Sequence, residues 1–118
     1  MGKAIARTDP FNAPIQKMLV EHIWEDVWSR PELSPKLRSI VVVSLLIALD
    51  KPDELALHLR AALGNGCSIE ELREVMIQAI AYCGAPTALA AIRVANSVLQ
   101  SEIAAMPDPS RQRGDDGS

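Results

Sequence analysis

The stretch from Ser34 to Leu49, SPKLRSIVVVSLLIAL, decides most of what this chain can fold into. Its β-branched residues would suit a buried strand. Yet Pro35 to Leu49 is fifteen residues without a turn residue, long for a strand and ordinary for a helix. Ser34 followed by Pro35 is also a helix start. The serine oxygen can accept from an unpaired N–H of the first turn, and proline gives up an N–H that has no partner there anyway. Apolar nearly all round, this segment is expected to be the central, most buried helix. It falls far short of the ~20 apolar residues needed to span a bilayer.

The same punctuation divides the rest of the chain. A first helix is expected to begin after Asp9 or Asn12, with Pro14 in its first turn, and to run to about Ser29, before Arg30-Pro31. It has two apolar faces: Phe11, Ile15, Met18 and His22 on one, and Val20, Trp24, Val27 and Trp28 roughly opposite. Such a helix must bury both faces, one against its own fold and one against another subunit. Asp50-Lys51-Pro52 opens a third helix, closed by Gly64-Asn65-Gly66, residues that adopt left-handed conformations cheaply. Ser68 with Glu71 three residues on forms a capping box for a fourth helix, which Gly84 ends. Pro86 starts an alanine-rich fifth that reaches about Ala105. From Met106 onward Pro, Asp, Gly, Ser and Arg dominate, the composition of a disordered tail.

Composition agrees with an all-α fold. Hydrophobic residues make up 48% but aromatic residues only 3%, so the core is aliphatic and rich in alanine, which suits close helix packing better than a pleated sheet. The expectation is one domain of about five or six helices over residues 9–105, with a flexible arm at 1–8 and a tail at 106–118. A net charge of −3 with no run of Lys or Arg excludes a nucleic-acid footprint. MGKAIARTDP lacks the apolar core of a signal peptide, and the two cysteines read as reduced thiols, so a soluble cytoplasmic protein is expected.

One polar residue stands out. His58 falls at the edge of the third helix's apolar stripe of Leu55, Leu59 and Ala62. An imidazole facing the interior is the first place to look for chemistry, although a core histidine bonded to a backbone carbonyl has the same pattern. A metal site is not expected. Glu54 and His58 are four apart, whereas di-iron bundles use Glu and His three apart on each of two helices, and His22 has no matching partner. Ser29, Ser44 and Thr87 have no nucleophile-elbow context.

Taken together, IWEDVWSRPEL, SPKLRSIVVVSLLIAL and ELALHLRAALGNGCSIEELREVMIQAIAYCGAPTALAAIRVA resemble the carboxymuconolactone decarboxylase family from about Phe11 to Leu99. That family shares its helical fold with the AhpD-like alkylhydroperoxidases, and the likeness is to its γ-carboxymuconolactone decarboxylase branch. The peroxidase branch places a Cys-x-x-Cys pair ahead of a histidine. Laid onto His58, the two positions fall at Lys51 and Glu54, while Cys67 and Cys83 are sixteen residues apart, so thiol relay has no parts here.

The resemblance implies a cofactor-free decarboxylation of a dianionic lactone in aromatic-compound catabolism, by a homo-oligomer, commonly trimeric or hexameric. That chemistry makes His58 the candidate general acid or oxyanion partner. Trp24 and Trp28, four residues apart with Glu25 beside them, suit either a pocket wall with Glu25 near a substrate carboxylate or ordinary packing at a helix or subunit interface with Glu25 in solvent. Arg38 and Arg60 are the better cations for the dianion, ahead of Arg30, Lys51, Arg73 and Arg93, and Tyr82 would donate a hydrogen bond into the core. Two alternatives stay open: a divergent member that acts on or binds another small acid or lactone, and a non-catalytic interaction protein.

Overall fold

Residues 9–107 are described by the computed structural model, and within them every regular element is helical. The arm expected at 1–8 and nearly all of the tail expected from Met106 lie outside these residues. Helix α1 (Ala13–Val20) runs without a break into a π-helical segment (Glu21–Trp28). Then follow α2 (Pro35–Ala48), α3 (Pro52–Gly64), α4 (Ile69–Cys83), α5 (Ala85–Val98) and the short α6 (Gln100–Ala104). None is long and apolar enough to cross a membrane.

The helix boundaries follow the local chemistry. Ser34 Oγ accepts from the Leu37 N–H at 3.1 Å, with Pro35 at the first helical position. The Ser68 box is reciprocal: Oγ accepts from the Glu71 N–H at 3.0 Å, and the Glu71 carboxylate accepts from the Ser68 N–H at 2.8 Å. Glu71 also pairs with Lys36 of α2 at 2.7 Å, tying the start of α4 to the start of α2. The turn after α3 places Gly66 at φ 101°, and Gly84, between α4 and α5, sits at φ 87° and ψ 156°.

Helices α2 to α5 form the body. Its core joins Val43 and Ile47 of α2, Leu55, Leu59 and Ala62 of α3, Leu72 and Met76 of α4, and Ala88 and Ala91 of α5. Alanines at positions 62, 88 and 91 leave room for backbones to approach, which is how a core with so few aromatic residues fills its volume. Leu99, 1% exposed, takes φ −112° and breaks the expected continuous fifth helix. The break lets Leu99 bury its side chain and turns α6 so that Glu102 meets Arg60 at 2.7 Å.

Two expectations need correcting. Helix α2 is not buried all round: Ser39, Val43 and Ile47 are covered, whereas Leu37, Val41, Leu45 and Leu49 lie on an open face. A four-helix body has only one side to offer an all-apolar helix, and among the described residues the other side of α2 is left about half exposed. Nor does the first helix bury either face. No residue of α1 or the π segment is buried, and the two have at most marginal contact with the other helices. The molecule therefore measures 66 × 31 × 27 Å, with a radius of gyration of 17.1 Å against about 13 Å for a compact chain of this size. The change from α to π winding at Glu21 has no counterpart in the hydrophobic pattern, because it depends on which carbonyl each N–H selects.

Gly84 occupies a backbone region open essentially to glycine alone. Gly84→Ala is expected to cost roughly 1–3 kcal/mol, read as a lower urea midpoint with unchanged slope. Wild-type stability in that variant would show that the turn relaxes without strain.

Candidate functional site

His58 occupies the flank of α3 beside the buried stripe of Leu55, Leu59 and Ala62, and its ring is half-buried. Glu54, His58, Ala61 and Asn65 follow one another along this flank at helical spacing. The flank faces α2, since the Asn65 amide donates to Ser39 Oγ at 2.9 Å. Partial burial holds the imidazole below its ordinary value of 6.5, and the nearby Glu54 carboxylate opposes this more weakly. The ring is therefore neutral at pH 7, with one nitrogen able to donate and the other to accept.

Arg38 begins close to the same seam. It precedes Ser39 in sequence, and Asn65, Ser39's partner, stands two turns along α3 from His58, about 10 Å away on the helix axis. Arg38 Nη2 donates to the Arg30 carbonyl oxygen at 3.0 Å, linking the loop after the π segment to α2. Its Nε is buried without a hydrogen-bond partner, the one such side-chain atom among the described residues. Nor does any carboxylate among those residues pair with this guanidinium. A buried N–H of a charged group left unmatched is costly, and a ligand carboxylate would match it in charge and geometry.

The other expected residues lie apart from this seam. Trp24 and Trp28 pack against each other at 5.7 Å between ring centroids, tilted by 41°, on the projecting π segment. Glu25 is exposed beside them, and Ser29 Oγ donates to its carbonyl oxygen. Arg60 is engaged by Glu102 on the opposite flank of α3, so its charge is already answered. Tyr82 stands 82% exposed near the end of α4, which overturns the hydrogen bond expected from it into the core. Position 82 projects outward because the buried positions of α4 are Leu72, Met76 and Ala79.

Cys67 is buried and Cys83 half-buried, and both are free thiols. Burial, helped by Glu71, pushes the Cys67 thiol up, so it stays protonated and is a poor nucleophile. Among the described residues no group of three or more His, Cys, Asp or Glu side chains is arranged to hold a metal ion. A cavity of about 270 Å³ opens between α4, α5 and α6, and none of the expected site residues lines it. Within one chain, then, His58 lies on the α3 flank that Asn65 ties to α2, and Arg38 stands next to Asn65's partner Ser39, while Trp24, Glu25, Trp28, Arg60 and Tyr82 lie elsewhere. The Ser39–Asn65 bridge was not picked out in the sequence, where Asn65 reads only as a turn residue. Ser39, just ahead of the apolar run that begins at Ile40, was the available signal, and Ser44 within the run carries the same one.

Comparison with known proteins gives a consistent match. The Carboxymuconolactone decarboxylase family matches residues 13–97. The chain is 35% identical over 100 residues to a 4-carboxymuconolactone decarboxylase of Acinetobacter baylyi, covering 85% of this chain and 75% of that protein. It is equally 35% identical over 100 residues to a nitrosuccinic acid decarboxylase of Metarhizium robertsii, covering 85% of this chain and 70% of that one.

The His58 shift has a sign that stability measurements can read. With the folded value below 6.5, the unfolded chain takes up its proton first as pH falls. His58 should therefore lower stability progressively below about pH 6.5, a loss absent at pH 8. Urea midpoints between pH 5 and 8 should fall less steeply on the acid side in His58→Gln than in the wild type. Parallel curves for the two proteins would mean that His58 is not desolvated.

Proposed function

The chain belongs to the carboxymuconolactone decarboxylase family and is a carboxy-lyase-like enzyme, and on that premise we propose that it decarboxylates γ-carboxymuconolactone to the β-ketoadipate enol-lactone without a cofactor. The observation that supports the proposal most is the half-buried neutral imidazole of His58 on the flank of α3 that Asn65 ties to α2 next to Arg38, a guanidinium with no carboxylate partner among the described residues. In this substrate the leaving carboxylate sits one bond from a carbon–carbon double bond conjugated to the lactone carbonyl. As the bond to the carboxyl carbon breaks, its electron pair moves through the double bond to the carbonyl oxygen, and carbon dioxide departs. A proton delivered to the carbon next to that carbonyl restores a neutral lactone ring. The substrate itself supplies the electron sink, so the protein has to hold a dianion, steady the developing oxyanion and move one proton.

Arg38 is assigned to a substrate carboxylate through its guanidinium, and His58 to the proton. The neutral ring gains a proton as the dianion binds, because a nearby negative charge raises an imidazole's pKa. It then donates to carbon once the electron pair has reached the carbonyl. Placing Trp24, Trp28 and Glu25 at the same site requires a second copy of the chain. The open α2 face beside the seam supports a homo-oligomer in which a neighbouring subunit covers His58, and the enzyme acts in the cytoplasm.

A second reading has its own support. A relative named for nitrosuccinic acid is as similar to this chain as the one named for carboxymuconolactone. Nitrosuccinic acid is also a small dicarboxylic acid with an electron-withdrawing group near the leaving carboxylate. The same Arg38 and His58 roles would serve such an acid, with the nitro group as sink.

His58→Ala should lower turnover of γ-carboxymuconolactone by about 10²- to 10⁴-fold, followed as loss of the substrate's ultraviolet absorbance, with far-UV circular dichroism unchanged. Arg38→Ala should act mainly on KM, raising it about 10- to 100-fold, the worth of a charge-assisted hydrogen bond. A His58→Ala protein turning over near the normal rate would overturn the assignment. Activity of the wild type on nitrosuccinate but not on the lactone would select the second reading.

A further inference from the structure

We propose that the apolar groove between α4, α5 and α6 is the seat of helix α1 from a second copy of the chain. The inference rests on the homo-oligomer reading above and goes further, naming the two surfaces that meet. The groove is the cavity of about 270 Å³ already described, lined by Leu72, Met76, Ile77, Ile80, Ile92 and Ile103 among others, with Arg73 and Asn96 as its polar members. Ile77 and Ile80 are about half exposed within it. An opening so nearly free of polar groups offers little to an acidic substrate and a great deal to an apolar helix face.

The same chain carries such a face with nothing to cover it. Phe11, Ile15, Met18 and Leu19 are 79%, 48%, 71% and 50% exposed. They recur at intervals of four, three and one, a stripe on one side of a helix that projects from the body. The dimensions agree. Helix α1, eight residues and about 12 Å long, is shorter than the fifteen-residue α4 that forms one wall of the groove, so it fits along it. Charge does not oppose the seat: Arg73 at the groove's rim, beside Glu74 at 3.3 Å, is opposite in sign to Glu21 at the end of α1 nearer the body.

The chain's other candidates for this seat are poor ones. The segment after Pro107, DPSRQRGDDGS, has no large apolar residue to fill the groove. Within one copy, the arm leaves the body at the start of α2 and is held there by the hydrogen bond from Arg38 to the Arg30 carbonyl. Exchange of arms between copies buries the stripe and the groove together, and it uses a helix that makes almost no contact with its own body.

Light scattering after gel filtration tests this directly. The wild type should be an assembly, and Ile15→Asp and Ile80→Asp should each lower its mass while keeping helical circular dichroism. Both tryptophans lie on the arm, so their emission should shift to the red with each loss of mass. Disulfide trapping covers the case of a variant that fails to fold. In a Cys83→Ser background, one tagged copy with Met18→Cys mixed with another carrying Ile80→Cys should give an interchain product of twice the chain mass. A monomeric wild type would overturn both this inference and the homo-oligomer reading. An assembly whose mass Ile80→Asp leaves unchanged, no trapped product, or a bond formed only within one chain carrying both cysteines would overturn the groove alone.

Discussion

A helix that is apolar on every side has to be covered on every side, and α2 is such a helix with one side covered. Its inner residues Ser39, Val43 and Ile47 join the core that α3, α4 and α5 provide. Its outer leucines stay about half exposed among the described residues, and the amphipathic arm of α1 adds a second unanswered surface. The projecting arm makes the molecule more than twice as long as it is wide. Incomplete cover extends to the polar groups: His58 is half-buried, and Arg38 Nε, though buried, lacks a partner.

Incomplete burial also sets the electrostatics. A fully buried imidazole could not take up a proton without a large penalty, and a fully exposed one would titrate as it does in water. His58 lies between, neutral at rest yet able to respond to a nearby charge. On the proposed mechanism, a dianion arriving beside it would lower the cost of the protonated form and thereby load the ring with the proton that the reaction consumes. Glu54, on the same flank, already opposes the desolvation. The seam is thus poised by two opposing effects of modest size, and covering it with another subunit would strengthen every charge interaction within it.

Much of this was legible in the residues, and the parts that were not share a cause. Ser34-Pro35, Pro52, Gly64-Asn65-Gly66, the Ser68–Glu71 box and Gly84 act within a few residues of themselves, so they mark helix ends wherever the rest of the chain goes. The stripe of Leu55, Leu59 and Ala62 with His58 at its edge was equally readable, because periodicity along one helix needs no neighbour to define it. Partners from distant segments were not readable. Nothing near Arg60 announces Glu102, which reaches it only because Leu99 breaks the last helix. Tyr82 could be placed inside or outside only once the buried face of α4 was known. The π winding around Trp24 and Trp28 is a choice of hydrogen-bond partner that side-chain pattern does not encode.

The chemistry assigned to this chain places unusual weight on the substrate. On the proposed roles, the groups of the chain that act are one imidazole and one guanidinium. Neither accepts an electron pair. A carboxylate can leave from such a site only if the molecule that carries it also carries the acceptor, and only if that acceptor lies in conjugation with the breaking bond. A lactone carbonyl reached through a double bond meets that condition, and so does a nitro group on the adjoining carbon. The two differ in where the negative charge comes to rest, farther from the departing carboxylate in the lactone than in the nitro acid. On the proposed roles, a donor fixed at one distance from the Arg38 guanidinium would serve only one of them well. The separation between His58 and Arg38 would then be the dimension that sets specificity, and the Ser39–Asn65 bridge, which joins α2 to α3 beside Arg38, would be the contact that holds it.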